Sequence, residues 1–266
     1  MTFLSDFGLE DGFVAACHGA AMRVAPAVPV IDITHLVPPG DVRRGAAVLA
    51  QTVPAMPPAV HVAVVDPGVG TARLAIAIQA RQGILVGPDN GVLSWAIGAL
   101  GGAVRAVHLT NADLWHHPVS PTFHGRDIFM PVAAHLAAGT DIGQAGQQLD
   151  VADLVMLAAP TNRMLDGEAE GEVLSVDRFG NVQLSIPAAA ATALGIAVGA
   201  TMIIRCNRRE ISAPYLETFG SAAPGDLIAF TDSAGLISLA VSSGSAADRL
   251  SLPPGARVRI AADLPA

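Results

Sequence analysis

The sequence predicts an α/β protein, with an N-terminal α/β domain built on a largely parallel sheet and a smaller C-terminal β-barrel domain. Three observations carry that expectation. Strand-like and helix-like segments alternate through the first half, as in crossover-connected parallel strands. After Thr161 the segments become short, strand-like and divided by turns, the spacing of a small barrel. Hydrophobic residues make up 52% of the 266 but aromatics only 4%. The core must therefore come from Ala, Val, Leu and Ile, which suits buried parallel strands and close-packed helices. A chain this long buries a substantial core. The expected domains are residues 1–160 and 161–266, joined at Ala158-Ala159-Pro160-Thr161-Asn162.

Taken in order, residues 2–4 form a short strand that runs into Ser5-Asp6-Phe7-Gly8. Residues 11–24 read as a helix, with Asp11 placed to cap it. A strand over 28–33, a helix over 41–52 and a strand over 60–65 follow. Pro67, Gly68 and Gly70 then make a tight turn into a strand over 74–78. Residues 83–86 form a strand leading into Gly87-Pro88-Asp89-Asn90-Gly91, with a helix over 92–100 and a strand over 104–109. Asp127 is suited to cap a helix over 127–138, which Gly139 stops. Beyond the linker, strands are expected over 171–176, 182–185, 201–206, 227–230, 236–241 and 257–260, with one helix over 188–194.

All fifteen basic residues are arginines, and there is no lysine. That excludes a Schiff-base lysine, a lysine nucleophile and a phosphate-loop lysine. The net charge is −8 and the pI about 5.3. No basic stripe offers a nucleic-acid footprint. Cys17 and Cys206 stand far apart, which argues for two buried free thiols in a reducing compartment. The N-terminus lacks signal-peptide regions and no apolar run reaches membrane-spanning length. The expectation is a cytoplasmic protein with neither nucleic acid nor membrane as partner.

Four polar clusters fall at strand ends or turns: Ser5-Asp6-Phe7-Gly8, the run from Asp66 to Arg73, Pro121 to Asp127, and Asp177-Arg178-Phe179-Gly180-Asn181. The second sets a carboxylate where a buried strand ends and a guanidinium where the next begins. Open α/β sheets bind ligands outside the carboxyl ends of their strands. Each cluster also has a purely structural reading. Asp66 and Arg73 can close a turn as an ion pair, Asp6 can cap one, His124 can be a hydrogen-bonded structural histidine, and Asp177 with Asn181 can be hairpin chemistry. His116-His117 diverge and no further ligand follows at metal spacing, so no metal is expected there. Gly68-x-Gly70 precedes a strand rather than a helix, unlike a dinucleotide fingerprint.

Together the clusters resemble the SAM hydroxide adenosyltransferases, the S-adenosylmethionine (SAM) hydrolase family related to the SAM-dependent fluorinating and chlorinating enzymes. The resemblance rests on S-D-F-G at the N-terminus, D-P-G-V-G-x-x-R, G-P-D-N-G at Gly87–Gly91, T-F-H-G-R-D at Thr122–Asp127 and D-x-F-G-N at Asp177–Asn181. It implies hydrolysis of SAM to adenosine and L-methionine, with no cofactor and no metal. It also implies a homotrimer whose active sites lie between the N-terminal domain of one subunit and the C-terminal domain of its neighbour. The family's catalytic set falls on Asp66, Arg73 and His124. Substrate binding falls on Asp6 and Asp11, on Asp177 and Asn181, on Phe179 and Phe219 flanking adenine, and on Ser233, Ser238 and Val241. Ser238 and Ser242 stand where relatives often carry Glu and Asn. Two other functions fit the same pocket: a SAM-dependent halogenase and a non-catalytic SAM- or adenosine-binding protein.

Overall fold

The computed structural model describes residues 1–263, and the chain divides into two units, Met1–Ala158 and Ala159–Ala266. The division falls two residues before the expected boundary.

The N-terminal unit runs β1 (Thr2–Ser5), α1 (Phe13–Val24), β2 (Ile31–Thr34), α2 (Val42–Thr52), β3 (Val60–Val64), β4 (Ala75–Ala80), β5 (Gly83–Pro88), α3 (Ser94–Ala99), β6 (Ala103–His108), α4 (Met130–Ala137) and β7 (Gln147–Leu149). Its sheet has the order β2-β1-β3-β5-β4-β6-β7. The β2-β1-β3-β5 pairs are parallel, and β4, β6 and β7 add antiparallel pairs. Only Arg81 and Gln82 join β4 to β5, and so short a link makes a hairpin rather than a crossover. Side chains alternate across the sheet, so both faces are apolar. Phe3, Val62, Val64 and Ala77 pack with Cys17, Ala21 and Val132 on one face. Leu4, Ala63, Val65 and Ile76 pack with Leu49, Val53 and Ala96 on the other. Each fully buried Leu, Ile or Phe contributes roughly 1.5–3 kcal/mol, enough in sum to hold the polar strand ends in place.

Two expected caps are corrected. Gly12, not Asp11, is the N-cap of α1, with no side-chain cap, and Asp11 is exposed. The helix starts one residue too late for the Asp11 carboxylate to reach its first N–H groups. Asp127 caps nothing: α4 begins at Met130, after a wide π turn over Gly125–Phe129 that contains Asp127. Asp41 does cap α2, accepting from the Arg44 N–H at 2.9 Å.

The C-terminal unit comprises β8 (Asn162–Leu165), β9 (Glu168–Val176), β10 (Val182–Pro187), α5 (Ala188–Ala193), β11 (Thr201–Cys206), β12 (Arg209–Pro214), β13 (Leu227–Thr231), β14 (Leu236–Val241), α6 (Ala246–Leu250) and β15 (Arg257–Ala262). The strand path is β12-β11-β15-β9-β10-β14-β13, with β8 on β9. Tyr215, just past β12, bridges Ala229 of β13, and the Leu216 N–H donates to the Ala229 carbonyl at 2.9 Å. That contact joins the two ends of the path into a nearly closed barrel. Its core is Val173, Leu184, Ile186, Met202, Ile204, Leu239 and Ile260, with their neighbours.

Candidate active site

Because β4 lies beyond β5 in the sheet, residues 65–74 must cross the carboxyl end of β5. Asp66 enters this crossing and Arg73 leaves it. Arg73 Nε donates to both Asp66 oxygens at 3.0 Å, and its Nη2 donates to Oδ2. The side chains are nearly sealed, 5% exposed for Asp66 and 10% for Arg73. The Phe129 ring lies 5.2 Å from the guanidinium carbon. The loop after β5 holds the crossing at both ends. Asn90 Nδ2 donates to the Val65 carbonyl at 2.8 Å, while Asn90 Oδ1 accepts from the Val92 N–H. The Asp89 N–H donates to the Leu74 carbonyl at 2.9 Å.

His124, 51 residues beyond Arg73, meets it with Nδ1 3.0 Å from Nη2. A guanidinium only donates, so His124 Nδ1 is the acceptor and the ring proton sits on Nε2. Burial, then the Arg73 charge, push the His124 imidazole below its usual range, against the pull of Asp66 and Asp127. It is therefore neutral at pH 7. Gly70 lets the two loops touch. Its φ is +76°, and a Cβ there would stand 2.6 Å from the Pro121 carbonyl oxygen. Asp127, fully buried, straps the His124 loop. It accepts from the Ser120 N–H at 2.8 Å and from Arg126 Nε and Nη2 at 2.6 and 2.9 Å.

The result is one acceptor, one cation and one neutral donor in contact. Arg73 takes three contacts on a carboxylate that offers about four acceptor positions, so Asp66 keeps room for one more donor. Asp6 shares the edge, because Ser5 pairs with Val64 across the parallel β1 and β3. Asp6 Oδ2 accepts from the Gly40 N–H at 2.8 Å, and a Cβ on Gly40 would lie 3.9 Å from Pro67 Cβ. The Cys17 thiol, pushed by burial up to about 12, is inert as a nucleophile at neutral pH.

In the C-terminal unit, Asp177 organises its own turn. Its Oδ1 accepts from the N–H groups of Phe179 and Asn181, and its Oδ2 accepts from Asn181 Nδ2 at 2.7 Å. Phe179 is 69% exposed and Phe219 44%; Phe219 packs on Phe230 with centroids 4.7 Å apart. Ser233 is exposed in the turn between β13 and β14, and Val241 is half-buried at the end of β14. Ser238 is buried, and its hydroxyl donates to Asp232 at 2.9 Å. Asp232 also accepts from Gln183 Nε2 and from the N–H groups of Ala234 and Leu236. Sequence reasoning gave no role to Asp232 or to the Asn90 side chain, and read Asp127 as a helix cap rather than a strap. The Asn after Gly-Pro-Asp at a strand end was the available signal for Asn90.

Known proteins resemble this chain over nearly its whole length. Residues 1–146 match the SAM hydroxide adenosyltransferase N-terminal domain and residues 171–259 the C-terminal domain. The chain is 53% identical over 265 residues to the (R)-S-adenosyl-L-methionine hydrolase of Salinispora arenicola, covering 98% of this chain and 97% of that protein. It is 41% identical over 266 residues to the one from Thermus thermophilus, covering 97% and 98%. Among solved structures, an uncharacterized conserved protein from Thermotoga maritima superposes with a TM-score of 0.93 at 35% identity, covering 98% of this chain and 99% of that one.

Proposed function

We propose the reaction that family membership carries: this chain belongs to the SAM hydroxide adenosyltransferase family, and it hydrolyses S-adenosyl-L-methionine to adenosine and L-methionine. The sulfonium is already cationic, so methionine departs as a neutral thioether and needs no general acid. The demanding partner is water, which must attack C5′ in line and lose a proton. Bulk water has a pKa near 15.7, so no carboxylate strips it beforehand. In our reading Asp66 accepts a hydrogen bond from the water as the C–O bond forms. Arg73 and the His124 Nε2–H steady the charge that grows on its oxygen. Base assistance of this kind supplies roughly 10²–10⁴-fold, and fixing the nucleophile about 3–3.5 Å from carbon adds to it.

The observation that carries this reading is the contact of Asp66, Arg73 and neutral His124 at one strand edge. A carboxylate there suits water, which has protons to give, and repels chloride or fluoride. Asp6 is suited to grip the ribose hydroxyls, an ionised acid accepting two bonds in fixed geometry, and we assign the exposed Asp11 to substrate binding as well. We assign Asp177 and Asn181 to the methionine and nucleoside, Phe179 and Phe219 to adenine, and Ser233, Ser238 and Val241 to the adenine edge. We further propose a homotrimer, in which each site draws the second group from a neighbouring subunit, and a cytoplasmic setting that fits two buried free thiols. Among the described residues no helix is long and apolar enough to cross a membrane.

Incubating the pure protein with SAM and separating the products tests the reaction. Adenosine and methionine are expected. A 5′-halo-adenosine formed with added halide would mean halogenation, and unchanged SAM would mean a binder. Running both sulfonium epimers shows whether the (R) preference in the relatives' names extends to this chain. Light scattering that gives a monomer mass would refute the trimer.

A further inference from the structure

We propose a transition-metal site formed by His18 of α1, Asp32 of β2 and His35 just beyond β2. His18 Nε2 lies 2.8 Å and His35 Nε2 3.0 Å from the same oxygen, Asp32 Oδ1. All three ligand atoms lie within 4.8 Å of one another.

The decisive member is His35. Its side chain is 2% exposed, and among the described residues the buried Nε2 has no hydrogen bond of acceptable geometry, Asp32 notwithstanding. Natural proteins rarely leave such a nitrogen unmatched, because the lost solvation is not returned. The other ring nitrogen, Nδ1, is 2.7 Å from Ser5 Oγ, and Phe3 stands 4.7 Å from the ring centroid. The imidazole is thus fixed in orientation with Nε2 aimed at the cluster. That is the usual support of a metal-bound histidine, whose second nitrogen donates to an oxygen behind it.

The donor set selects the ion. Two imidazoles and one carboxylate suit Zn²⁺ or a similar first-row ion, whereas calcium and magnesium take oxygen ligands. Zn–N and Zn–O bonds are about 2.0–2.2 Å, which puts tetrahedral ligand atoms roughly 3.3–3.6 Å apart. The short N···O separations must open by about half an ångström to reach that spacing. His18 and Asp32, 30% and 40% exposed, are free to make that adjustment while His35 stays anchored. Their exposure also gives the ion a route in and leaves a fourth position for water. Occupancy would stiffen the end of β1, since His35 holds Ser5 and the Gly8 N–H donates to the His35 carbonyl at 2.8 Å.

The test is calorimetric titration of the metal-free full-length protein with Zn²⁺, backed by the visible spectrum with Co²⁺. One ion per chain is expected, with tetrahedral Co²⁺ bands. Affinity should fall at least about 10-fold in His18→Ala and in Asp32→Asn, and the bands should vanish. His117→Ala, outside the cluster, should bind as the wild type does. Circular dichroism establishes that each variant is folded, and Asp32→Asn, nearly isosteric, carries the test if His18→Ala is not. Equal Zn²⁺ affinity in wild type and Asp32→Asn would overturn the site. So would the absence of Zn²⁺ binding below about millimolar, which would mean that the three side chains merely share protons.

Discussion

The Asp66–Arg73–His124 cluster and the Asp177–Asn181 turn each centre on a carboxylate, but the two carboxylates are ordered in different ways. Asp66 is held by Arg73, seven positions on, which in turn meets His124 51 positions further along, and the Asp66 side chain is 5% exposed. Among the described residues, Asp177 bonds only within the five residues of its turn, beside a phenylalanine 69% exposed. The first arrangement depends on the N-terminal sheet that brings its segments together. The second would survive almost any rearrangement around it, and its exposed ring is apolar surface available for a partner. Chemistry that must be timed against a bond-breaking event belongs in the first kind of site, and recognition suits the second.

Replacing Asp66 is the strongest way to break that contrast. Asp66→Asn should lower kcat by roughly 10²–10⁴-fold with a much smaller change in KM, read from the rate of adenosine release. An unaltered kcat would reduce the pair to a turn closure. Gly70→Ala comes next. The added methyl at φ +76° and 2.6 Å from the Pro121 oxygen should cost roughly 1–3 kcal/mol in urea denaturation. By displacing His124 it should slow turnover up to ~10²-fold. Destabilisation with a normal rate would show that the His124 loop shifts without harm.

The pH profile sharpens the same point. His124 is held below 6.5 by burial and Arg73, so its neutral form, and with it kcat, should persist as pH falls through 6.5. An acid limb centred above 6.5 would contradict the assignment. The smallest effect on stability belongs to Phe179→Ala, within about 0.5 kcal/mol for so exposed a side chain, with KM rather than kcat affected. A larger loss in denaturant would reveal a structural partner for the ring.

The sequence makes the strands legible where apolar residues run together, and residues 60–65, 74–78 and 83–86 are visible for that reason. It does not reveal that β4 lies outside β5, because both are apolar on both faces. That order is what brings Asp66 to Arg73. Of the missed strands β7, β8 and β12, the last two are hydrophilic because ion pairs face them. Arg163 pairs with Glu170, and Arg205 pairs with Glu168 and Glu210. The caps assigned to Asp11 and Asp127 failed because each helix starts later than expected, by a glycine before α1 and by a five-residue π turn before α4. Asp66 and Arg73 are visible as polar residues at strand ends and His124 as one on a loop entering a helix, but the tautomer of His124 and the strap made by Asp127 exist only in three dimensions.

The approach of Gly70 to Pro121 bears on any attempt to move this chemistry elsewhere. A designer copying Asp66, Arg73 and His124 onto another scaffold would carry over every side chain of the proposed water site and still omit one participant. The loop bearing the histidine closes on the loop bearing the ion pair only where one residue offers no side chain and a left-handed backbone. The transferable unit therefore has four members, and the fourth takes part by leaving space.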